Sequence, residues 1–217
     1  MASFFNLILD TLAPAGLTLK LNDGAQYATS NTVTATISVA DDVTTGYQMK
    51  IWGTQSAASE DKATWETFAA SKSLVLANGD GLKTVHIKVR DDVGNESADV
   101  SASITVNTAV PVVTITGPDK SKISGFDTSV FAFTVDVDFE EYTIRVVPSS
   151  TSLHDAGTQI PVAGGSSNTS GKDGSYKKDT AINVTIKGAD LETASSGDGT
   201  KIVKVFVKNA AGTWSVA

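Results

Sequence analysis

The chain has 217 residues, of which 41% are hydrophobic and 19% are charged, with a net charge of −7 and no cysteine. The apolar content is enough to fill a core, which excludes disorder along the whole length, and the acidic balance argues against a general nucleic-acid binder, which needs clustered Lys and Arg. Without cysteine the protein must be stabilised by packing alone, as in a reducing cytoplasm or in some bacterial domains.

The first predicted element is a short apolar arm, residues 1–11. It has no basic residue ahead of its apolar run, which Asn6 interrupts and Asp10 ends, so we interpret it as part of the mature protein and not as a secretion signal. No stretch of the chain approaches the roughly 20 apolar residues of a membrane span. Five apolar side chains of the arm are candidate binding residues: Phe4, Phe5, Leu7, Ile8 and Leu9.

A first domain is predicted over residues 12–108. Apolar residues alternate with polar ones in several short runs separated by turn residues, the pattern of strands that bury one face. The predicted strands centre on Leu17-Leu21, Val33-Val39, Tyr47-Ile51, Val85-Val89 and Val100-Val106.

A second domain is predicted over residues 109–217 because part of the first is written again 118 residues later. The segment Gly79–Ser97 matches Gly197–Ser215 without a gap, including the Gly-Asp-Gly turn and the alternating strand that follows it. Further strands are predicted around Val113-Ile115, Phe131-Val135, Tyr142-Val146 and Ile182-Ile186. Between them, residues 148–179 form a long loop rich in Ser, Gly, Thr and Lys, with a possible short strand at Ile160-Pro161-Val162.

A second repeat lies at the boundary, where Val106–Pro111 resembles Leu9–Pro14 at a spacing of 97 residues. By this match the segment Phe4–Leu9 corresponds to the last strand of a domain. The second domain has no complete counterpart of the strand Val100–Val106, so either residues 213–217 form a stub strand or a neighbour completes that edge. The arm therefore either folds back on its own first domain or is donated to another copy or another protein.

The segment Gly79–Ser97, with the linker Asp10–Pro14 and the Trp65–Phe68 segment, resembles bacterial and bacteriophage immunoglobulin-like repeats. This resemblance covers residues 10–107 well, and residues 109–217 only through the final hairpin. It implies two tandem immunoglobulin-like β-sandwich domains, an all-β fold, in a protein such as a phage capsid, tail or fibre component or a bacterial adhesin.

Candidate chemistry is sparse. His86 is predicted on the outward face of a strand and His154 in the long loop, so neither indicates a catalytic site. Paired carboxylates occur near strand ends, where Asp is common in turns, and no run has full calcium-ligand spacing; they are Asp41-Asp42, Asp91-Asp92, Asp136/Asp138 and Glu140-Glu141. We predict no catalytic residue, no metal and no cofactor.

Three aromatic residues are candidate interface positions. Trp52 has the opposite parity to Ile51, and Phe206 has the parity of Lys204, so both are expected to point outward; Trp214 lies near the end of the chain. Exposed aromatic rings anchor protein interfaces or stack on sugars.

The sequence therefore predicts a non-enzymatic virion structural or accessory protein of a bacteriophage: a capsid decoration, tail or baseplate component that is made in the host cytoplasm. Its partners would be other virion or surface proteins, with several copies in the assembly, and the arm would anchor it. The alternative is a bacterial or phage adhesin at the cell surface that binds a host glycan through its aromatic residues.

Overall fold

The computed structural model describes residues 6–7, 9–40 and 46–216, and over these residues the chain is built from strands, with one α-helix and two short 3₁₀ turns. The all-β fold predicted from the period-two pattern is confirmed. Contacts between Cα atoms divide the chain into two compact units, Met1–Thr108 and Ala109–Ala217.

The first unit is a sandwich of two antiparallel-rich sheets. One sheet has the strand order β1-β3-β6 and the other has the order β2-β8-β7-β4-β5. Its strands are β1 (Thr18–Leu21), β2 (Tyr27–Ala28), β3 (Thr32–Ser38), β4 (Gln48–Trp52), β5 (Glu66–Thr67), β6 (Ser71–Val75), β7 (Gly81–Arg90) and β8 (Val100–Val106).

The core of the first unit is made by the inward faces of these strands. Val85, Ile87 and Val89 of β7 have no exposed surface, while the residues between them are only partly buried. Such alternation is what a strand with one buried face requires. On β8, Ile104 and Val106 enter the same core.

The second unit repeats this plan, but the strand that follows its Gly-Asp-Gly turn has one neighbouring strand fewer than its counterpart in the first unit. One sheet has the order β14-β10-β9; in the other, β11 pairs with β12 and β13 along one edge and with β15 along the other. The elements are β9 (Val113–Thr116), β10 (Thr128–Val135), β11 (Phe139–Val147), β12 (Thr158–Gln159), β13 (Ser170–Tyr176), β14 (Ile182–Lys187), α1 (Gly188–Ala194) and β15 (Ile202–Lys208).

The predicted loop 148–179 is wrong in its later part, which contains the strands β12 and β13. β13 was hidden from pattern analysis because its sequence, Ser-Gly-Lys-Asp-Gly-Ser-Tyr, has no apolar alternation. It pairs with β11, and Gly171 leaves room for aromatic rings, since a Cβ there would lie 2.0 Å from the Tyr176 hydroxyl and 2.5 Å from the Tyr142 ring. The residue Ile160 is fully buried but follows the short strand instead of forming one.

A buried carboxylate holds the loop after β12 against α1. Asp190 is 2% exposed and accepts hydrogen bonds from the N–H groups of Gly164 at 2.6 Å and Ser166 at 2.8 Å. Burial alone would raise the pKa of Asp190, but the hydrogen bonds from Ser166 and Gly164 outweigh it and keep that pKa below its ordinary value. Ionised Asp190 is therefore a structural anchor of the second unit.

Candidate interaction surface

The N-terminal arm is exposed where the structure describes it. Leu7 and Leu9 are each 85% exposed, and neither residue pairs with a strand. Phe4, Phe5 and Ile8 lie outside the described residues. Large apolar side chains that stand in solvent are typical of segments that bind elsewhere, so the arm's role as an anchor stays a prediction.

Trp52 was expected to point into solvent, and this expectation is wrong. The side chain is only 8% exposed because its indole stacks on the imidazole of His86, with ring centroids 5.3 Å apart and planes 9° apart. His86 in turn places Nδ1 3.0 Å from a carboxylate oxygen of Asp99. In the described part of the chain no hydroxyl lies within hydrogen-bond distance of the other His86 ring nitrogen, so the cluster lacks a nucleophile–base pair.

Phe206 was also expected to be exposed, and it is fully buried. Its parity was correct, but the segment after β11 covers this face of the sheet. Lys204 lies 5.1 Å from the Phe206 ring centroid and donates to the carbonyl groups of Ser150 and Ser152, both at 2.8 Å. Arg145 binds the next part of the segment through the carbonyl of Ala156 at 2.8 Å.

Trp214 is half-buried at the edge of the same face. Its ring stacks on His154, with centroids 4.5 Å apart. The two histidines thus pack against tryptophans in separate units. Trp65 is half-buried, with the guanidinium of Arg90 4.4 Å from its ring.

Asp91-Asp92 and Asp136/Asp138 lie in turns between strands, whereas Glu140-Glu141 lie within the strand β11. Asp91 accepts hydrogen bonds from the N–H groups of Val93, Gly94 and Asn95 at 2.7–3.0 Å. Its burial acts to raise its pKa, but the amide donors, with Asn95 first among them, lower the pKa overall. Among the described residues no group of three His, Asp or Glu side chains is arranged to hold a metal ion; Asp41-Asp42 lie outside them.

An apolar depression lies in the second unit, beside β15. It is a groove of about 730 Å³ between β15 and the segment that follows β9. Its lining includes Val203 and Val205 of β15, Ile115 and Phe131 of the opposite sheet, and the side chains of Lys120 and Lys122. The groove opens the sandwich core to solvent at one edge.

Among the described residues, the backbone edge of β15 beside the groove, residues 202–205, pairs with no strand of the second unit. The opposite edge of β15 pairs with β11, and an isolated bridge joins Lys208 to Trp214 at the end of the strand. Residues 213–216 therefore form no stub strand. An open strand edge presents free N–H and C=O groups that can pair with an added strand.

The first unit shows what fills the equivalent position. There β8 pairs with β7 from Gly81↔Val106 to Ile87↔Val100, and Ile104 and Val106 are 1% and 0% exposed. By the 118-residue repeat, β15 corresponds to β7. The groove is thus the slot that β8 occupies in the first unit.

A polar contact closes the end of that slot in the first unit. Asp80 accepts hydrogen bonds from the N–H of Thr108 at 3.1 Å and from its hydroxyl at 2.8 Å. The repeat equivalent of Asp80 is Asp198, which is exposed and accepts no hydrogen bond in the described part of the chain. The second unit therefore has both an empty slot and an unused carboxylate at its end.

Among the residues that the structure describes, no helix has both the length and the apolar character needed to cross a membrane.

No protein-family model matches the chain, and no curated protein matches it. Solved structures are similar at low identity. The fibronectin(III)-like modules of Clostridium thermocellum CbhA share 13% identity at a TM-score of 0.47, over 92% of this chain and 90% of that one.

The D00-D0 domain of intimin shares 19% identity at a TM-score of 0.33, over 90% of this chain and 93% of that one. A tetra-tandem repeat from the extending region of a large adhesion protein shares 19% identity at a TM-score of 0.30, over 94% of this chain and 47% of that one. None of these descriptions names a bacteriophage, and no TM-score among the three reaches 0.5. The assignment of the fold therefore rests on the strands and sheets described above.

Proposed function

We propose that this chain is a non-enzymatic structural subunit of a multi-copy surface assembly, foremost a bacteriophage virion, and that it attaches by accepting a strand at the open edge of β15. The virion assignment rests on the resemblance of Gly79–Ser97 to phage and bacterial immunoglobulin-like repeats. The attachment mode rests on the groove.

The groove supports this function because it combines the two requirements of strand addition. The open edge of β15 supplies backbone hydrogen bonds, and the apolar lining at Ile115 and Phe131 favours apolar side chains. Each large apolar side chain that docks contributes about 1.5–3 kcal/mol. Several identical copies add avidity without any new contact.

A binding role is favoured over catalysis because the residues with catalytic potential are committed to packing. His86 stacks on Trp52 and His154 on Trp214. The buried carboxylates of Asp91 and Asp190 are held by backbone N–H groups in their ionised state. These are contacts that stabilise turns and loops.

The glycan-binding alternative loses support from the burial of Trp52 and Phe206, since a sugar platform needs exposed ring faces. A glycan array with the purified chain tests it directly. Saturable binding that Trp214→Ala abolishes would favour the adhesin.

The experiment for the virion assignment is quantitative mass spectrometry of particles purified from a culture that produces this chain. We expect the protein in the particles at many copies, and we expect it to stay there through density-gradient purification. Recovery of the chain only in the fraction free of particles would contradict the proposal.

A further inference from the structure

We propose that the groove of one molecule is filled by residues 4–9 of a second copy of the same chain, so that copies join head to tail. This inference rests on the proposed function of the groove as a strand acceptor.

The donor is identified by the 97-residue repeat, in which Leu7 corresponds to Ile104 and Leu9 to Val106. The structure supports this match at the linker that follows each segment. Leu12 and Ala109 are equivalent positions, and the carbonyl of each accepts a hydrogen bond from an asparagine in the turn after the Gly-Asp-Gly strand. Asn95 Nδ2 lies 3.3 Å from Leu12 O, and Asn209 Nδ2 lies 2.7 Å from Ala109 O.

The equivalent residues have opposite environments. Ile104 and Val106 are 1% and 0% exposed, whereas Leu7 and Leu9 are each 85% exposed. Leu7 and Leu9 therefore stand in solvent at positions where β8 is buried, and the groove lies beside the β15 edge that corresponds to the β8-paired edge of β7. Joining the two removes both apolar surfaces from water.

The register follows from the pairing of β8 with β7. Transferring each pair through the two repeats places Leu9 opposite Gly199, Leu7 opposite Lys201 and Phe5 opposite Val203. Gly199, Lys201 and Val203 all line the groove. The alternate residues, Asn6 among them, point to the outer face, as Ser103 does in β8.

The polar contact pairs Asp198 of one copy with Thr11 of the next. Asp198 is equivalent to Asp80 and Thr11 to Thr108, the two residues that close the slot in the first unit. Thr11 is exposed, and neither its N–H nor its hydroxyl has a partner among the described residues. Hydrogen bonds to a charged acceptor contribute more than neutral ones, so this pair fixes the register.

The contact is head-to-tail because donor and acceptor are different surfaces in different units. A heterologous interface of this kind repeats from copy to copy and builds an open chain or a closed ring. The smallest closed ring has two copies, in which the arm of each fills the groove of the other.

Cysteine cross-linking tests the register, since the natural chain has no cysteine. Asn6 is predicted opposite Ile202, the pair equivalent to Ser103 and Thr84, whose hydroxyl oxygens lie 2.9 Å apart. One full-length chain carries Asn6→Cys and a second, distinguished by a size tag, carries Ile202→Cys. The mixture is oxidised, and the peptide linking positions 6 and 202 is measured by mass spectrometry.

We expect an intermolecular disulfide between the two chains, formed at least tenfold faster than with Lys208→Cys as the out-of-register acceptor. The single chain Thr84→Cys/Ser103→Cys is the positive control and should form its disulfide without dimers. Asp198→Ala should lower the yield several-fold. Leu82→Asp, a change at an exposed residue of the first unit, is the control and should leave the yield unchanged.

Two outcomes would overturn the proposal: no 6–202 link while the positive control closes, or a link that forms only within one molecule when both cysteines are on the same chain. Either result would leave the strand-acceptor function standing, because a synthetic peptide of residues 1–12, or a strand from another protein, could still be tested on the groove. Absence from purified particles would reject the virion function without bearing on the cross-link.

Discussion

The two units differ most at one edge of the strand that follows the Gly-Asp-Gly turn, which is β7 in the first unit and β15 in the second. In the first unit β8 covers β7 and fills the core with Ile104 and Val106. In the second unit the equivalent edge of β15 borders an open groove. The comparison shows that the turn after β7 or β15 keeps its shape whether or not a strand equivalent to β8 lies beside it. In both units a serine hydroxyl after the turn lies near a strand N–H, at 3.0 Å from Val89 N and 3.1 Å from Val207 N. Because the edge of β15 is already formed, docking a strand there costs little conformational entropy.

The turns after these strands differ in charge. The first unit has Asp91, whose carboxylate accepts three backbone N–H groups, and the second has Asn209, which accepts one and donates to the carbonyl of Ala109. The hydrogen bonds of the first turn depend on an ionised carboxylate, and those of the second turn do not. Acid should therefore act on the two turns differently.

The largest effect is expected for a substitution in β8, the strand that only the first unit has beside its Gly-Asp-Gly turn strand. Ile104→Ala should lower the free energy of unfolding of the first unit by about 2–5 kcal/mol, because it leaves a cavity in a closed core. Leu7→Ala, the equivalent change in the arm, should leave that energy within about 0.5 kcal/mol at concentrations where the chain is monomeric. Urea titrations of both variants measure this. A loss above 1 kcal/mol for Leu7→Ala would mean that the arm packs on its own molecule.

A smaller effect is expected at the anchor of the second unit. Asp190→Ala leaves the N–H groups of Gly164 and Ser166 without their acceptor and should cost about 2–3 kcal/mol. Because the pKa of Asp190 is lowered in the folded state, its contribution is present above the unfolded pKa of about 3.9 and lost as the pH falls through the folded value. Glu192→Gln, on the exposed face of the same helix, is the control. Equal losses for both variants in unfolding from pH 7 to pH 3 would contradict the anchor role.

The turn difference can be sharpened by exchanging the two side chains. Asp91→Asn should cost the first unit about 1–2 kcal/mol at neutral pH, because hydrogen bonds to a charged acceptor become neutral ones. It should also remove that turn's loss of stability below pH 4, since the pKa of Asp91 is lowered. Asn209→Asp should destabilise the second unit at neutral pH by placing a carboxylate against the Ala109 carbonyl. Measurements of the free energy of unfolding against pH test both variants. If Asp91→Asn lost stability below pH 4 as the natural chain does, the role of ionised Asp91 in the turn would be contradicted.

The smallest effect concerns the segment over Phe206. Lys204→Met removes two hydrogen bonds to the carbonyls of Ser150 and Ser152 but keeps most of the apolar contact with the ring. We expect less than about 1 kcal/mol in overall stability and faster amide exchange confined to residues 149–155. Lys172→Met, exposed on β13, is the control. No change in exchange would show that Lys204 does not hold the segment.

Much of the fold was predictable because Val and Ile alternate strictly in the buried strands. β7 and β15 were found from that alternation and from the repeat. β13 escaped because a strand of small and polar residues carries no such signal, and α1 because seven residues are too few for a helical period. Parity placed Trp52 and Phe206 on the correct faces, but their burial depends on neighbouring side chains and on the segment after β11, which no local pattern encodes.

The candidate site was predictable only in outline. The repeats matched Phe4–Leu9 with the end of β8 and β15 with β7, but the groove depends on how Ile115 and Phe131 of the opposite sheet meet β15. The pairing of Asp80 with Thr108, which points to Asp198 and Thr11, is a tertiary contact between residues 28 positions apart. It became visible only in the folded first unit.

Hydrogen exchange of β15 and β7 at increasing protein concentration tests the difference between the two edges most directly. We expect slow exchange along β7 at every concentration, because β8 covers it. Along β15, the amides that face the groove should exchange fast in dilute solution and become protected at high concentration, together with residues 6–9. Protection of β15 equal to that of β7 in the most dilute sample, or no dependence on concentration, would contradict it.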